Sequence, residues 1–151
     1  MTPRQLELPR TRIPDLPLVD FTVQVEVQAM HINEAHHLAF TAIPVMLDQV
    51  RKAWFARHGM DEQHLDGAGV IVADLQAQYQ SEAHLGETLR VDMMVADVGQ
   101  RSCQLLYRVA ESASGRMVAR ARTALVFFDY RNKQAVPVPA CVLGLLGSTP
   151  E

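Results

Sequence analysis

The sequence predicts an α+β domain in which a curved antiparallel sheet of five strands wraps around one long helix. Three patterns predict it. Apolar residues alternate with polar ones over 21–28, recur at helical spacing over 41–58, and alternate again in four runs between 70 and 128. One crossover helix followed by hairpin-linked strands is the order of a segregated α+β layout rather than of repeated βαβ units.

The elements follow in order. Phe21, Val23, Val25 and Val27 alternate with Thr22, Gln24, Glu26 and Gln28, which predicts a first strand with one buried face. Residues 29–40 are His-rich and without period. From Thr41, residues Ile43, Met46, Leu47, Val50 and Trp54 fall on one helical stripe. Thr41 is placed to cap the helix, Pro44 is tolerated in its first turn, and Gly59 ends it near residue 58. Val45, Phe55 and Ala56 lie off that stripe with Asp48 and Lys52, so the helix is expected to be covered on more than one side.

The remaining strands are expected at 70–80, 89–95, 103–109 and 117–128, with turns at 97–100 and 112–115 where Gly, Asp and Ser collect. Pro137-Val138-Pro139 leads the chain out of the sheet. Residues 1–18 carry four prolines and read as an extended leader, 19–140 as the domain, and 141–151 as a tail. One helix covers five strands only in part. The exposed apolar remainder predicts self-association, as a homodimer or a dimer of dimers.

Composition narrows the classes. At 151 residues, 48% hydrophobic and 21% charged, the chain supports one globular core and is not a disordered segment. A formal charge of −3 argues against broad nucleic-acid binding, which needs a basic surface. No apolar run approaches the about 18 residues of a membrane span. Cys103 and Cys141 neither form a disulfide framework nor show metal-ligand spacing, which fits a reduced, cytoplasmic protein.

Several segments then carry a family resemblance: the His/Asn-rich stretch 30–38, the helix 41–59, the strand start 70–74, YQSEAHLGE at 79–87, VARARTALVFFD at 118–129, and the proline exit 137–139. In this order and spacing, over about residues 19–140, they resemble the hotdog fold of acyl-CoA thioesterases, specifically the hydroxybenzoyl-CoA thioesterase-like group. The resemblance implies hydrolysis of an acyl-CoA thioester to free acid and CoA. Coenzyme A would enter as part of the substrate with no further cofactor, and the site would lie where two protomers meet. The family motif is an Asp, two residues, then Gly-His before the helix. Matched on the helix start, His37 falls on the motif His, Asn33 on the Asp, and His36 where the Gly is expected. An amide therefore replaces the family carboxylate.

Thioester hydrolysis needs an activated water or a carboxylate nucleophile, a donor for the oxyanion, and room for the thiol. Backbone amides over 38–42 are the expected donors, because a helix N-terminus leaves them free and dipole-assisted. Asn33 can orient a water or the carbonyl but cannot be a base; it equally suits an Asx-turn. Glu34, the nearest carboxylate in sequence, is a displaced base or a solvated loop residue. His37 is a base, a substrate contact, or a brace for the loop. Asp48 either serves the site across a dimer interface, as in some hotdog relatives, or forms a solvated pair with Lys52. The resemblance implies that Arg101 and Ser102 meet the coenzyme A chain; a solvated hairpin is the alternative. His31, His36 and His37 match no metal motif, and no metal is expected. The competing function is a non-catalytic acyl-CoA or acyl-carrier-protein binding protein of the same fold.

Overall fold

A computed structural model describes residues 8–146. The elements are β1 (Phe21–Glu26), a 3-10 turn (Ala29–His31), α1 (Ala42–Arg57), β2 (Gly69–Tyr79), β3 (Thr88–Ala96), β4 (Ser102–Glu111), β5 (Met117–Asp129), β6 (Gln134–Ala135) and α2 (Ala140–Leu145). The strands form one antiparallel sheet in the order β1-β3-β4-β5-β2, with β6 on β5. The turns expected at 97–100 and 112–115 join β3 to β4 and β4 to β5.

Alternation decides which face is core. Leu89, Val91 and Met93 of β3, Leu105, Tyr107 and Val109 of β4, and Ala121, Leu125 and Phe127 of β5 are all buried on the inner face. They enclose Ile43, Met46, Leu47, Val50, Trp54 and Phe55 of α1. Phe55, expected off the main stripe, is itself core at 0% exposure, whereas Val45 stays exposed. Gly59, with φ +71, ends the helix where a residue without a Cβ adopts the left-handed conformation most readily.

Three expectations need correction. Thr41 precedes α1 with near-helical angles (φ −70, ψ −19) and its side chain makes no capping bond. An N-cap side chain reaches back to the first turn from an extended backbone, and Thr41 does not have one. The leader is not separate from the domain: Ile13 and Leu16 are buried on the outer face of the sheet against Leu106. Asp15 accepts from Arg108 at 3.0 Å, and the Gln78 side chain bonds both Ile13 N and Thr11 O. Lastly, the boundary at 140/141 falls inside α2, whose Val142 is buried in the main core.

The helix leans against β1 and β3, and along β2 the inner face is covered at Val70 and left open further on. A bulge between Val72 and Asp74 keeps Val72 and Leu75 in one inner row, opposite Leu125 and Thr123. Val72, Leu75 and Tyr79 are 42%, 45% and 46% exposed in consequence. This is the uncovered apolar surface that one helix on five strands predicts.

Candidate active site

The site is built on the connection from β1 to α1. Residues 33–36 form a tight turn closed by His36 N to Asn33 O at 3.0 Å, flanked by a bridge between Ile32 and Leu38. Asn33 Oδ1 accepts from Ala35 N at 3.0 Å and from His37 N at 3.4 Å, so the side chain organises an Asx-type turn. His36 sits at φ +65. That conformation costs a residue with a Cβ about 1 kcal/mol and costs glycine almost nothing.

Tertiary bonds then fix the approach to the helix. Leu38 N donates to Ala83 O at 2.7 Å, Ala39 N to His31 O at 2.8 Å, and Ala42 N to Ala39 O at 3.0 Å. These three amides, expected to be free, are engaged. Phe40 N and Thr41 N make no bond among the described residues, both residues are exposed, and they stand at the positive end of the α1 dipole. Tyr79 clamps this corner: its hydroxyl donates to Phe40 O at 2.7 Å, and the two rings meet edge-to-face at 6.4 Å. Burial raises the Tyr79 phenol above its ordinary value, so it remains a neutral donor at physiological pH.

The predicted site residues separate into groups. His37 is 29% exposed at its side chain, with Nδ1 3.3 Å from Leu38 O and Nε2 3.9 Å from Glu82 Oε1. Glu34 is exposed and makes no side-chain bond or ion pair among the described residues. Asp48 lies further along α1 and pairs with Lys52 at 3.0 Å, as expected, and also with Arg51. Partial burial opposes its ionisation, but the bonds from Lys52 and Arg51 outweigh it and hold the carboxyl below its ordinary value.

Arg101 and Ser102 stand elsewhere. Ser102 pairs with Val126, whereas the helix-start end of the sheet is where Tyr79 pairs with Ala119. Seven residues of strand separate the two, roughly 23 Å. Within one chain the structure does not bring them to Asn33 and His37. Among the described residues, no group of three or more His, Cys, Asp or Glu is arranged to hold a metal ion.

Several buried polar residues near the trough escape the sequence patterns. Arg51 is 5% exposed and donates to Glu62 through Nε at 2.7 Å and Nη2 at 3.2 Å. Burial disfavours its charge, but Glu62 and then Asp48 more than restore it. The available signal was position: Arg51 falls on the apolar stripe between Leu47 and Trp54. Thr123 is likewise a polar residue in the inner alternation of β5, between Ala121 and Leu125. These residues line a trough of about 320 Å³ between α1 and β2, walled by Pro44, Val45, Val72 and Leu75, with Asp48, Arg51 and Thr123 supplying polar surface.

The sequence model of the thioesterase-like superfamily matches residues 27–146. The chain belongs to the thioesterase-like superfamily. Its hotdog architecture is shared with solved structures. A 1,4-dihydroxy-2-naphthoyl-CoA thioesterase from Synechocystis is similar at a TM-score of 0.80 and 17% identity, over 85% of this chain and 96% of that one. A gentisyl-coenzyme A thioesterase is similar at 0.74 and 12%, over 84% and 100%. An aspartate-to-asparagine mutant of 4-hydroxybenzoyl-CoA thioesterase, complexed with 4-hydroxybenzoyl-CoA, is similar at 0.75 and 20%, over 84% and 98%. No curated protein matches the sequence. Among the described residues, no helix of this thioesterase-like chain is long and apolar enough to cross a membrane.

Proposed function

We propose that the protein hydrolyses an acyl-CoA thioester to the free acid and CoA, with the Phe40 and Thr41 amides as the oxyanion hole. The observation that carries this is a pair of N–H groups at the start of α1, on the exposed residues Phe40 and Thr41, that make no bond among the described residues of a thioesterase-like chain. Water adds to the thioester carbonyl carbon, the oxygen takes up the negative charge beneath the two amides, and the C–S bond breaks to release the thiolate. One such donor supplies roughly 3–4 kcal/mol of transition-state stabilisation in studied hydrolases.

The water must lose a proton. His37 is the candidate for this: in the tautomer that donates Nδ1–H to Leu38 O, Nε2 is the acceptor left to take the proton, 3.9 Å from Glu82 Oε1. Asn33 has committed Oδ1 to two amides, so its NH₂ group is the part left to orient water or carbonyl. Among the described residues, Glu34 has no side-chain contact that would position it as a base. Asp48 is held ionised, which weakens it as a base, and it lies about two helical turns along α1 from the Phe40 and Thr41 amides.

A homodimer is part of the reading. A second copy laid antiparallel along β2 would cover Val72, Leu75 and Tyr79. It would also carry its Arg101 and Ser102 toward the first copy's helix start, where they can meet the coenzyme A moiety. Activity is tested by thiol release from a panel of short, long and aromatic acyl-CoAs, and the dimer by sedimentation. No release above background, or a clean monomer, overturns the corresponding part.

The second reading is a protein that binds acyl-CoA or an acyl-carrier protein without turnover, and Asn33 in place of a carboxylate favours it. The discriminating result is thermal stabilisation by acyl-CoA without product. Sharp activation of Asn33→Asp would then mark the amide as the missing element.

A further inference from the structure

Asn33 supplies no carboxylate to the loop before α1, but the connection between β2 and β3 brings one there. Leu38 N donates to Ala83 O at 2.7 Å, so residues 37–38 lie against 82–83. Beside that bond, Glu82 Oε1 stands 3.9 Å from His37 Nε2. The segment is pinned on its other side: Arg116 Nη2 donates to Glu82 O at 2.9 Å, Ser81 Oγ donates to Met117 O at 2.6 Å, and Ala83 is buried. The carboxylate itself is steered by a relay of side chains. Glu82 Oε2 lies 3.4 Å from His84 Nε2. Glu87 holds His84 in turn, with Oε1 accepting from His84 N at 2.6 Å and lying 3.2 Å from Nδ1. Arg116 Nη2 donates to both oxygens of Glu87 at 3.1 Å. Oε2 of Glu82 is thus drawn to His84, and Oε1 is turned to His37.

The separation decides what this pair can do. At 3.9 Å, Nε2 and Oε1 are too far apart for a direct hydrogen bond. They are well spaced to share one water. A water about 2.8 Å from each would see them about 90° apart, close to the roughly 105° between its own O–H bonds. With His37 in the tautomer that donates Nδ1–H to Leu38 O, Nε2 and Oε1 are both acceptors, so the water donates one hydrogen to each and keeps its lone pairs free. The gap is open to solvent, since the His37 and Glu82 side chains are 29% and 63% exposed. It also lies on the same connection that carries the Phe40 and Thr41 amides, three and four residues beyond His37.

We propose that Glu82 is the catalytic carboxylate of this chain, holding the attacking water jointly with His37. The proposal rests on the thioesterase reading, which places the thioester at the helix start. One O–H bond of the water breaks and its proton passes to His37 Nε2. The freed electron pair forms the new C–O bond at the carbonyl carbon, and the C=O pair moves onto the oxygen beside the two amides. Glu82 keeps the second O–H and so sets the direction of attack. When the carbonyl re-forms, the C–S bond breaks, the thiolate leaves with its pair, and Nε2 gives up its proton to the thiolate. His84, Glu87 and Arg116 touch no reacting atom and act as positioning residues.

The test measures thiol release by the full-length protein and its variants, with the acyl-CoA that the parent turns over fastest. Glu82→Ala should lower kcat about tenfold or more and leave KM within about twofold, because the water and not the substrate loses its partner. Formate should restore rate to Glu82→Ala in a concentration-dependent way and leave the parent unchanged, an effect that a merely structural role for Glu82 would not produce. His37→Gln should also be slow, and adding Glu82→Ala to it should cost little more, since both groups act on one water. A kcat loss well under tenfold in Glu82→Ala, no rescue by formate, or fully additive losses in the double variant overturns the proposal while the thioesterase reading stands. If the parent itself releases no thiol from any acyl-CoA, both fail together.

Discussion

Replacing Arg51 by Met should be among the most damaging single changes in this protein, although Arg51 lies on a helix and touches no proposed reacting atom. The side chains of Arg51 and Glu62 are 6% and 8% exposed and meet at 2.7 Å. Methionine keeps most of the stem volume, so packing loss is small. The carboxylate of Glu62 remains, buried and without its guanidinium. Breaking one side of a buried pair costs about 3–5 kcal/mol. For a domain of this size that is roughly 6–20 °C in Tm. Removing both charges, in Arg51→Met with Glu62→Leu, should return stability to within about 1 kcal/mol of the parent, because a buried pair and its apolar replacement are often near equal. Urea unfolding followed by the fluorescence of Trp54, the one tryptophan and 3% exposed, measures all three variants. A loss below about 1 kcal/mol in Arg51→Met, or a double variant as unstable as the sum of the singles, would refute the reasoning.

Other outcomes follow from the same structure. Burial pushes the Cys103 thiol up to about 11, so a thiol reagent at neutral pH should titrate Cys141 in the folded protein and Cys103 only after unfolding; equal rates would contradict the packing. Ile13→Ala should lose about 2 kcal/mol in urea melts while Leu8→Ala, at a position 74% exposed, changes nothing measurable. His36→Gly should melt within about 1 kcal/mol of the parent or above it, whereas His36→Val, β-branched at φ +65, should lose about 1–2 kcal/mol. Burial opposes ionisation of Glu87, but the His84 amide and Arg116 outweigh it, and both Glu87 and Asp48 are held below their ordinary values of 4.5 and 3.8. Depressed carboxyls contribute stability that is complete above those values and is lost as pH falls through the folded ones. Stability should thus be level from pH 7 to about 5 and decline below about 4, with a shallower acid limb in Arg116→Gln.

The legible part of the fold was the part governed by near neighbours. Period two in 21–28 and in the four later runs, helical spacing in 43–54, and Gly59 at the helix end all appear where the sequence places them. The loop that holds the candidate residues was legible as a location. Asn33 and His37 do lie on the turn that leads into α1, and Asn33 makes the Asx contacts its residue type favours. Which amides stay unbonded was not. Leu38, Ala39 and Ala42 look as free as Phe40 and Thr41 until Ala83 and His31 present carbonyls to two of them. Arg51, Glu62 and Thr123 were missed because each is an ordinary polar residue in sequence and becomes unusual only when buried.

What the sequence by itself determined is the set of elements, the side each one buries, and the loop that holds the candidate residues. Those follow from backbone periodicity and turn preferences, which act over a few residues. Only tertiary structure decided that Ile13 and Leu16 pack on the outer face of the sheet, that Val72, Leu75 and Tyr79 of β2 stay uncovered, and which amides at the start of α1 stay unbonded. Those outcomes depend on groups far apart along the chain competing for the same surface and the same hydrogen bonds. Partners such as Asp15 with Arg108 or Leu38 with Ala83 leave no local pattern to read.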